Sequence, residues 1–209
     1  SMATARGYTA AAAVDGKAYV VGGTITGSDY LSSGEAYDPV ADSWSAIAEM
    51  GTARAQHTAA AVEGRIYIMG GWADARLSSC EVYTVASNSW SATASMPSGR
   101  MDHAAAALGT KVYVVGGNAG RGGAGGDTAL VYDTAADSWS TIASLGTSRG
   151  DRPGAVFIGS SLVVMGGHNS EHNSLDSAEV YDPNAGAWAA VAPMATARRH
   201  TAAVAVVIV

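Results

Sequence analysis

Cysteine is nearly absent from this 209-residue chain, where Cys80 stands alone. No intrachain disulfide can form, so the fold does not depend on an oxidising compartment, although it does not exclude one. Charge is also scarce. Only 14% of residues are charged, the formal net charge is −6 and the pI is near 5.2. That balance argues against nucleic acid or an anionic membrane as a main partner, because such binding rests on Lys and Arg neutralising phosphates. Long apolar runs are missing: none reaches the roughly 18–20 residues that cross a bilayer, and TAAVAVVIV at 201–209 is far too short. No signal-peptide pattern opens the chain. The initial Ser-Met reads as an added leader, which would place the native start elsewhere. Helical periodicity is lacking throughout. What is present is 48% hydrophobic residues, rich in alanine, and 26 glycines, which describes a folded chain of one large all-β domain or two small ones.

The glycines are organised. A short apolar strand ends in Gly-Gly four times, at Gly22, Gly70, Gly116 and Gly166, with intervals of 48, 46 and 50 residues. A period of that size marks an array of supersecondary units. Each unit opens on Met or Leu with Arg four residues later: Met2/Arg6, Met50/Arg54, Met96/Arg100 and Leu145/Arg149, with a fifth pair at Met194/Arg198. An alanine-rich strand follows, then a polar turn, the strand into Gly-Gly, a variable loop and a strand ending near Tyr37, Tyr83, Tyr132 or Tyr181. Seven residues after each Tyr stands Trp44, Trp90, Trp139 or Trp188, in a last short strand. Four short strands per unit suit a radial array of twisted four-stranded sheets, with small alanines on the crowded inner strands and broad rings filling the gaps between blades. A β-sandwich would leave the fixed Tyr-to-Trp spacing unexplained.

Gly-Gly after an apolar strand, Tyr-Asp(-Pro) as in AYDPVADSW and VYDPNAGAW, and the Trp that follows together resemble the kelch repeat. The expected fold is all-β, a kelch-type β-propeller of four four-stranded blades plus one extra inner strand. The repeats span 2–49, 50–95, 96–144 and 145–193, and 194–209 starts a fifth. Repeat 2 departs at Thr84, where the others have Asp, and repeat 4 carries Val164 in place of the Tyr before Gly-Gly. Kelch propellers usually close with about six or seven blades, so the chain is expected to be a partial ring or a half-ring. Its last strand, HTAAVAVVIV (200–209), has no turn that would let it fold back. Open repeat ends are avoided in proteins, and self-association, most simply a dimer of half-rings with about eight blades, is the expectation.

The resemblance also implies a binding mouth. In peptide-binding kelch domains, loops after the outermost strand and after Gly-Gly lie together. The matching positions here are Arg6, Arg54, Arg100, Arg149 and Arg198, with Thr24, Trp72, Asn118 and His168 directly after Gly-Gly, joined by Ser33, Ser79, Thr128 and Ser177. Arginines converging on one opening would bind carboxylates bidentately, so an acidic protein or peptide ligand is expected. The alternative is structural: Glu35, Glu81 and Glu179 stand two residues before Tyr and would pair with the arginines. Leu130 takes that place in repeat 3, leaving Asp102 as a local partner for Arg100.

Other candidate chemistry is weaker. GGAGGD (122–127) matches one copy of a calcium-binding repeat that needs several, and it reads as a loop. His168 and His172 have H-x₃-H spacing, which faces a metal well only on a helix. His57 and His103 read as hydrogen-bonding residues of the inner strands. Some kelch propellers belong to copper-dependent galactose oxidases, whose Tyr–Cys crosslink and ligand set find no match here. The sequence therefore favours a non-enzymatic binding module with no catalytic residue, metal or cofactor. The alternatives are the propeller part of a carbohydrate-active or oxidase enzyme, or a mainly self-associating structural fragment.

Overall fold

The computed structural model describes residues 1–120 and 126–203. Among the described residues, sixteen strands form four antiparallel four-stranded sheets in sequential order. Blade 1 contains β1 (Ala10–Val14), β2 (Lys17–Val21), β3 (Gly34–Asp38) and β4 (Ser43–Ile47). Blade 2 contains β5 (Thr58–Val62), β6 (Arg65–Met69), β7 (Cys80–Thr84) and β8 (Ser89–Thr93). Blade 3 contains β9 (Ala104–Leu108), β10 (Lys111–Val115), β11 (Ala129–Asp133) and β12 (Ser138–Ile142). Blade 4 contains β13 (Gly154–Ile158), β14 (Ser161–Met165), β15 (Ala178–Asp182) and β16 (Ala187–Val191). Blades 1 and 2 form one compact unit, residues 1–101; blades 3 and 4 belong to a second, which begins at Asp102. The expected inner strand at 200–209 and the GGAGGD loop lie largely outside the described residues.

Within each unit two blades pack face to face. In the first, Tyr19, Val21 and Ala36 of blade 1 meet Ile66, Ile68 and Tyr83 of blade 2 in one buried cluster, with Trp90 beside it. In the second, Tyr113, Val115 and Ala129 meet Leu162, Val164 and Tyr181, with Phe157 and Trp188 alongside. The rings of Tyr19 and Tyr83 are 5.9 Å apart and those of Tyr113 and Tyr181 are 6.2 Å apart, within the range for paired aromatics. Strand register corrects one reading. Tyr19, Tyr67 and Tyr113 face Ala36, Val82 and Val131, and the residue facing Val180 in blade 4 is Val163. Val163, not Val164, stands in the tyrosine's place.

The constant Tyr-to-Trp interval has a local cause. Each Tyr sits directly opposite its Trp in the register, with ring centroids 5.0–5.2 Å apart. Between them the turn must pass through a left-handed residue, supplied by Asp42, Asn88, Asp137 or Gly186. Asp and Asn tolerate that conformation. Their side chains also accept the hydroxyl of Tyr37, Tyr83 and Tyr132. Asp38, Asp133 and Asp182 cap the first half of the turn by accepting backbone N–H groups. Thr84 lacks that carboxylate, and a 3-10 turn at Val85–Ser87 replaces the capped one. All four Trp are half-buried rather than exposed. Two tie their blade to the preceding one, as Trp90 Nε1 donates to Ala48 O at 2.8 Å and Trp188 Nε1 to Ala143 O at 2.7 Å.

Candidate functional site

The arginine that opens a repeat turns into its own blade. Arg54 is completely buried. Its Nη1 donates to Gly70 O at 2.8 Å and Ser79 O at 2.9 Å, and its Nη2 to Ser79 Oγ at 3.2 Å and Glu81 Oε1 at 2.7 Å. Arg6 and Arg149 repeat the pattern with Gly22, Ser33 and Glu35, and with Gly166, Ser177 and Glu179. The glutamate is held from its other side by two backbone amides. These are Ala3 and Thr4 for Glu35, Gly51 and Thr52 for Glu81, and Gly146 and Thr147 for Glu179. Charge-assisted bonds of this number compensate the desolvation of both ions. In these three repeats the expected mouth arginines, and Ser33, Ser79 and Ser177, therefore form an internal clamp.

Repeat 3 differs on both sides of that clamp. Leu130 replaces the glutamate, and Pro97, which has no N–H, stands where Ala3, Gly51 and Gly146 donate. Arg100 is nonetheless buried, and burial pushes its pKa down to about 10. The Asp102 carboxylate receives Arg152 Nε at 2.7 Å.

Burial works against ionisation of Glu35, but the amides of Ala3 and Thr4 and the Arg6 guanidinium outweigh it and hold its pKa below the ordinary 4.5. A depressed carboxyl contributes stability that is complete above its unfolded pKa and lost as pH falls through the folded one. The melting-temperature gap between wild type and Glu35→Gln is thus expected to be widest at neutral pH and to close below pH 4.5. A gap that stays constant into strong acid would refute the ionic reading.

The residues after Gly-Gly have a different setting. Thr24, Trp72 and His168 form backbone bridges to Gly7, Ala55 and Gly150, the residues just after the clamp arginines. Thr24 is buried, and its Oγ1 accepts Gly27 N–H at 2.8 Å. Trp72 is half-buried, with the Arg76 guanidinium 5.9 Å from its ring, a cation–π distance. His168 lies over Gly150, where a Cβ would come within 2.6 Å of its ring, and meets His172 edge-on at 4.9 Å. Asn118 is half-buried.

A set of residues, of which the sequence reading named only Asp102, adjoins them. Two positions after each repeat's arginine stand Tyr8, Gln56, Asp102, Asp151 and His200, all left-handed at φ between 52° and 56°. Non-glycine residues in that conformation are strained and concentrate at functional positions. Their peptides link neighbouring blades: Gln56 N–H donates to Tyr8 O at 3.0 Å and His200 N–H to Asp151 O at 3.2 Å. Tyr8 is 52% exposed. In the second unit, Asp151 contacts His200 Nε2 at 2.6 Å and Arg199 at 3.7 Å. Repeat 4 has one more residue than the others before its inner strand. Arg152, the second of two consecutive left-handed residues, swings back onto Asp102. The available signal was variability within a constant frame, since the position changes from Tyr to Gln, Asp and His while its neighbours repeat. Arg198 is exposed, alone among the five clamp-position arginines.

These blades, with Gly-Gly turns and Tyr–Trp pairs at fixed register, define a kelch-type β-propeller architecture. Residues 1–117 match the family model described as the KLHDC2/KLHL20/DRC7 Kelch-repeats domain, and 99–146 and 149–195 each match the Kelch motif. The chain belongs to the kelch-repeat family. A solved structure titled "Structure of YjhT" superposes with a TM-score of 0.82 at 17% identity, over 94% of this chain and 73% of that one. No curated protein matches the sequence.

Proposed function

We propose that the chain is a non-enzymatic binding module that presents loop side chains to a protein or peptide ligand. The observation that carries this reading is the division of labour within each repeat. Clamp, Gly-Gly and Tyr–Trp positions are nearly constant, whereas the left-handed positions just before the inner strands change from blade to blade, from exposed Tyr8 and His200 through half-buried Gln56 and Asp151 to buried Asp102. Loops on a rigid scaffold that vary in this way suit recognition. In the first unit the contact groups are Tyr8, Trp72 and Arg76; in the second they are His168, Arg199 and His200. A preference for acidic ligands rests on the exposed Arg198, because the glutamates neutralise Arg6, Arg54 and Arg149 and Asp151 pairs with Arg199.

Trp72 with its stacked arginine has the makeup of a binding hot spot. Peptides selected by phage display on the wild-type protein should lose at least about ten-fold in affinity on Trp72→Ala, equivalent to about 1.4 kcal/mol. Selection that yields no binders, or binders indifferent to Trp72→Ala, Arg76→Ala and Arg199→Ala alike, would overturn the proposal.

A further inference from the structure

The loop that follows Gly166-Gly167 brings together two histidines whose spacing alone does not place them. His168 and His172 are four residues apart, and off a helix that interval sets no mutual geometry. Asn169 sets it instead. Its carbonyl accepts the His172 N–H at 3.0 Å, and its Oδ1 accepts the N–H groups of Glu171 and Asn173, each at 3.0 Å. Asn169 N–H donates in turn to Asn173 O at 3.1 Å, and His168 bridges Ser174 across the base of the loop. The reversal leaves His172 left-handed, at a φ of +63°, a conformation that costs a non-glycine residue free energy. It brings the two ring centres to 4.9 Å.

Three properties of this pair suit a metal ion. Two imidazoles on one tetrahedral zinc, with each nitrogen about 2.0–2.1 Å from the ion, have ring centres roughly 5 Å apart. The tautomer of one ring is also set. His168 Nδ1 lies 2.8 Å from Asn169 O. A carbonyl only accepts, so Nδ1 carries the proton and the neutral ring keeps a free lone pair on Nε2. A backbone carbonyl on the far nitrogen is the usual device that orients a ligating histidine. Finally, among the described residues neither His168 Nε2 nor a ring nitrogen of His172 has a protein hydrogen-bond partner. Ring stacking accounts for the distance, but not for the fixed tautomer or the unused nitrogens.

We infer that His168 and His172 form a surface site for a divalent transition metal of the zinc type, bound through His168 Nε2 and a ring nitrogen of His172. Imidazole suits zinc, copper and nickel, whereas magnesium and calcium take oxygen ligands. No third His, Cys, Asp or Glu joins the pair among the described residues. The remaining coordination positions therefore fall to water or to a donor atom brought by a ligand. The site lies within one loop of blade 4, and it does not depend on whether the loops bind a peptide.

The test is titration of the full-length protein with zinc chloride, followed through the imidazole nitrogen resonances of its five histidines. Saturable shifts are expected at His168 and His172 alone, with one ion per chain and no response to magnesium. His168→Asn and His172→Asn should each weaken zinc binding by at least about ten-fold. Both variants are compatible with the fold. Repeat 3 already carries Asn118 at the position of His168, and asparagine tolerates the left-handed conformation of residue 172. An unchanged thermal melt of His172→Asn separates lost binding from lost folding. Absence of saturable shifts, shifts centred on His200, or an affinity indifferent to both substitutions would each overturn the inference.

Discussion

Arg54→Ala is expected to destabilise the protein by about 3–5 kcal/mol, the range for removing one partner of a buried ion pair. The guanidinium is fully buried and makes four contacts of 3.2 Å or less, three with backbone and serine oxygens and one with Glu81. Its loss strands a buried carboxylate together with the Gly70 and Ser79 carbonyls, and unsatisfied buried groups bear the full desolvation penalty. Arg198→Ala is the matched control. It stands at the same repeat position but in solvent, so its cost to folding should stay within about 0.5 kcal/mol. Equilibrium denaturation of the two variants measures both numbers. Equal costs would mean that the clamp contributes little and that the arginines are held for another reason.

Gly116→Ala carries the second large effect, about 3 kcal/mol. Its φ of +66° already disfavours a Cβ, by about 1–2 kcal/mol. The added methyl would also lie 2.4 Å from Arg149 O, a backbone atom tied to Gly117 N–H and therefore unable to move away. Gly64→Ala isolates the conformational part, since Gly64 has a similar φ of +72° with nothing within 4 Å of the new methyl. It should cost only about 1–2 kcal/mol. A Gly116 variant no less stable than the Gly64 variant would show that the close approach across the Gly-Gly turn is dispensable.

The same approach explains why four strands end in a glycine pair. The first glycine's N–H bonds the serine or threonine carbonyl of its own blade, and the second glycine's N–H bonds the carbonyl of the next repeat's arginine. Neither geometry leaves room for a side chain. The pairs thus act as backbone joints between successive repeats, and the variable loops begin where each joint ends.

Much of the architecture was legible without coordinates. Strand order and the partial burial of Trp44, Trp90, Trp139 and Trp188 follow from local rules that recur every 46–50 residues. Apolar alternation, turn chemistry and a left-handed Asp, Asn or Gly before each Trp are short-range constraints, and repetition multiplies their signal. The glutamate partners of Arg6, Arg54 and Arg149 were likewise visible as one of two alternatives.

The direction of each arginine was not. A guanidinium four bonds from its backbone reaches outward to a ligand or inward to a carboxylate some 27–30 residues away, and sequence spacing does not distinguish the two. Packing does, because only the folded blade brings a serine hydroxyl, two carbonyls and a glutamate around one buried cation. The left-handed residues Tyr8, Gln56, Asp102, Asp151 and His200 were hidden for a related reason. Local preference would have chosen glycine there, and it is the hydrogen bonding between neighbouring blades that holds these side chains in a conformation their own chemistry disfavours. Sequence alone determined the repeat and its blades; tertiary structure decided which side chains face inward to hold them and which remain at the surface.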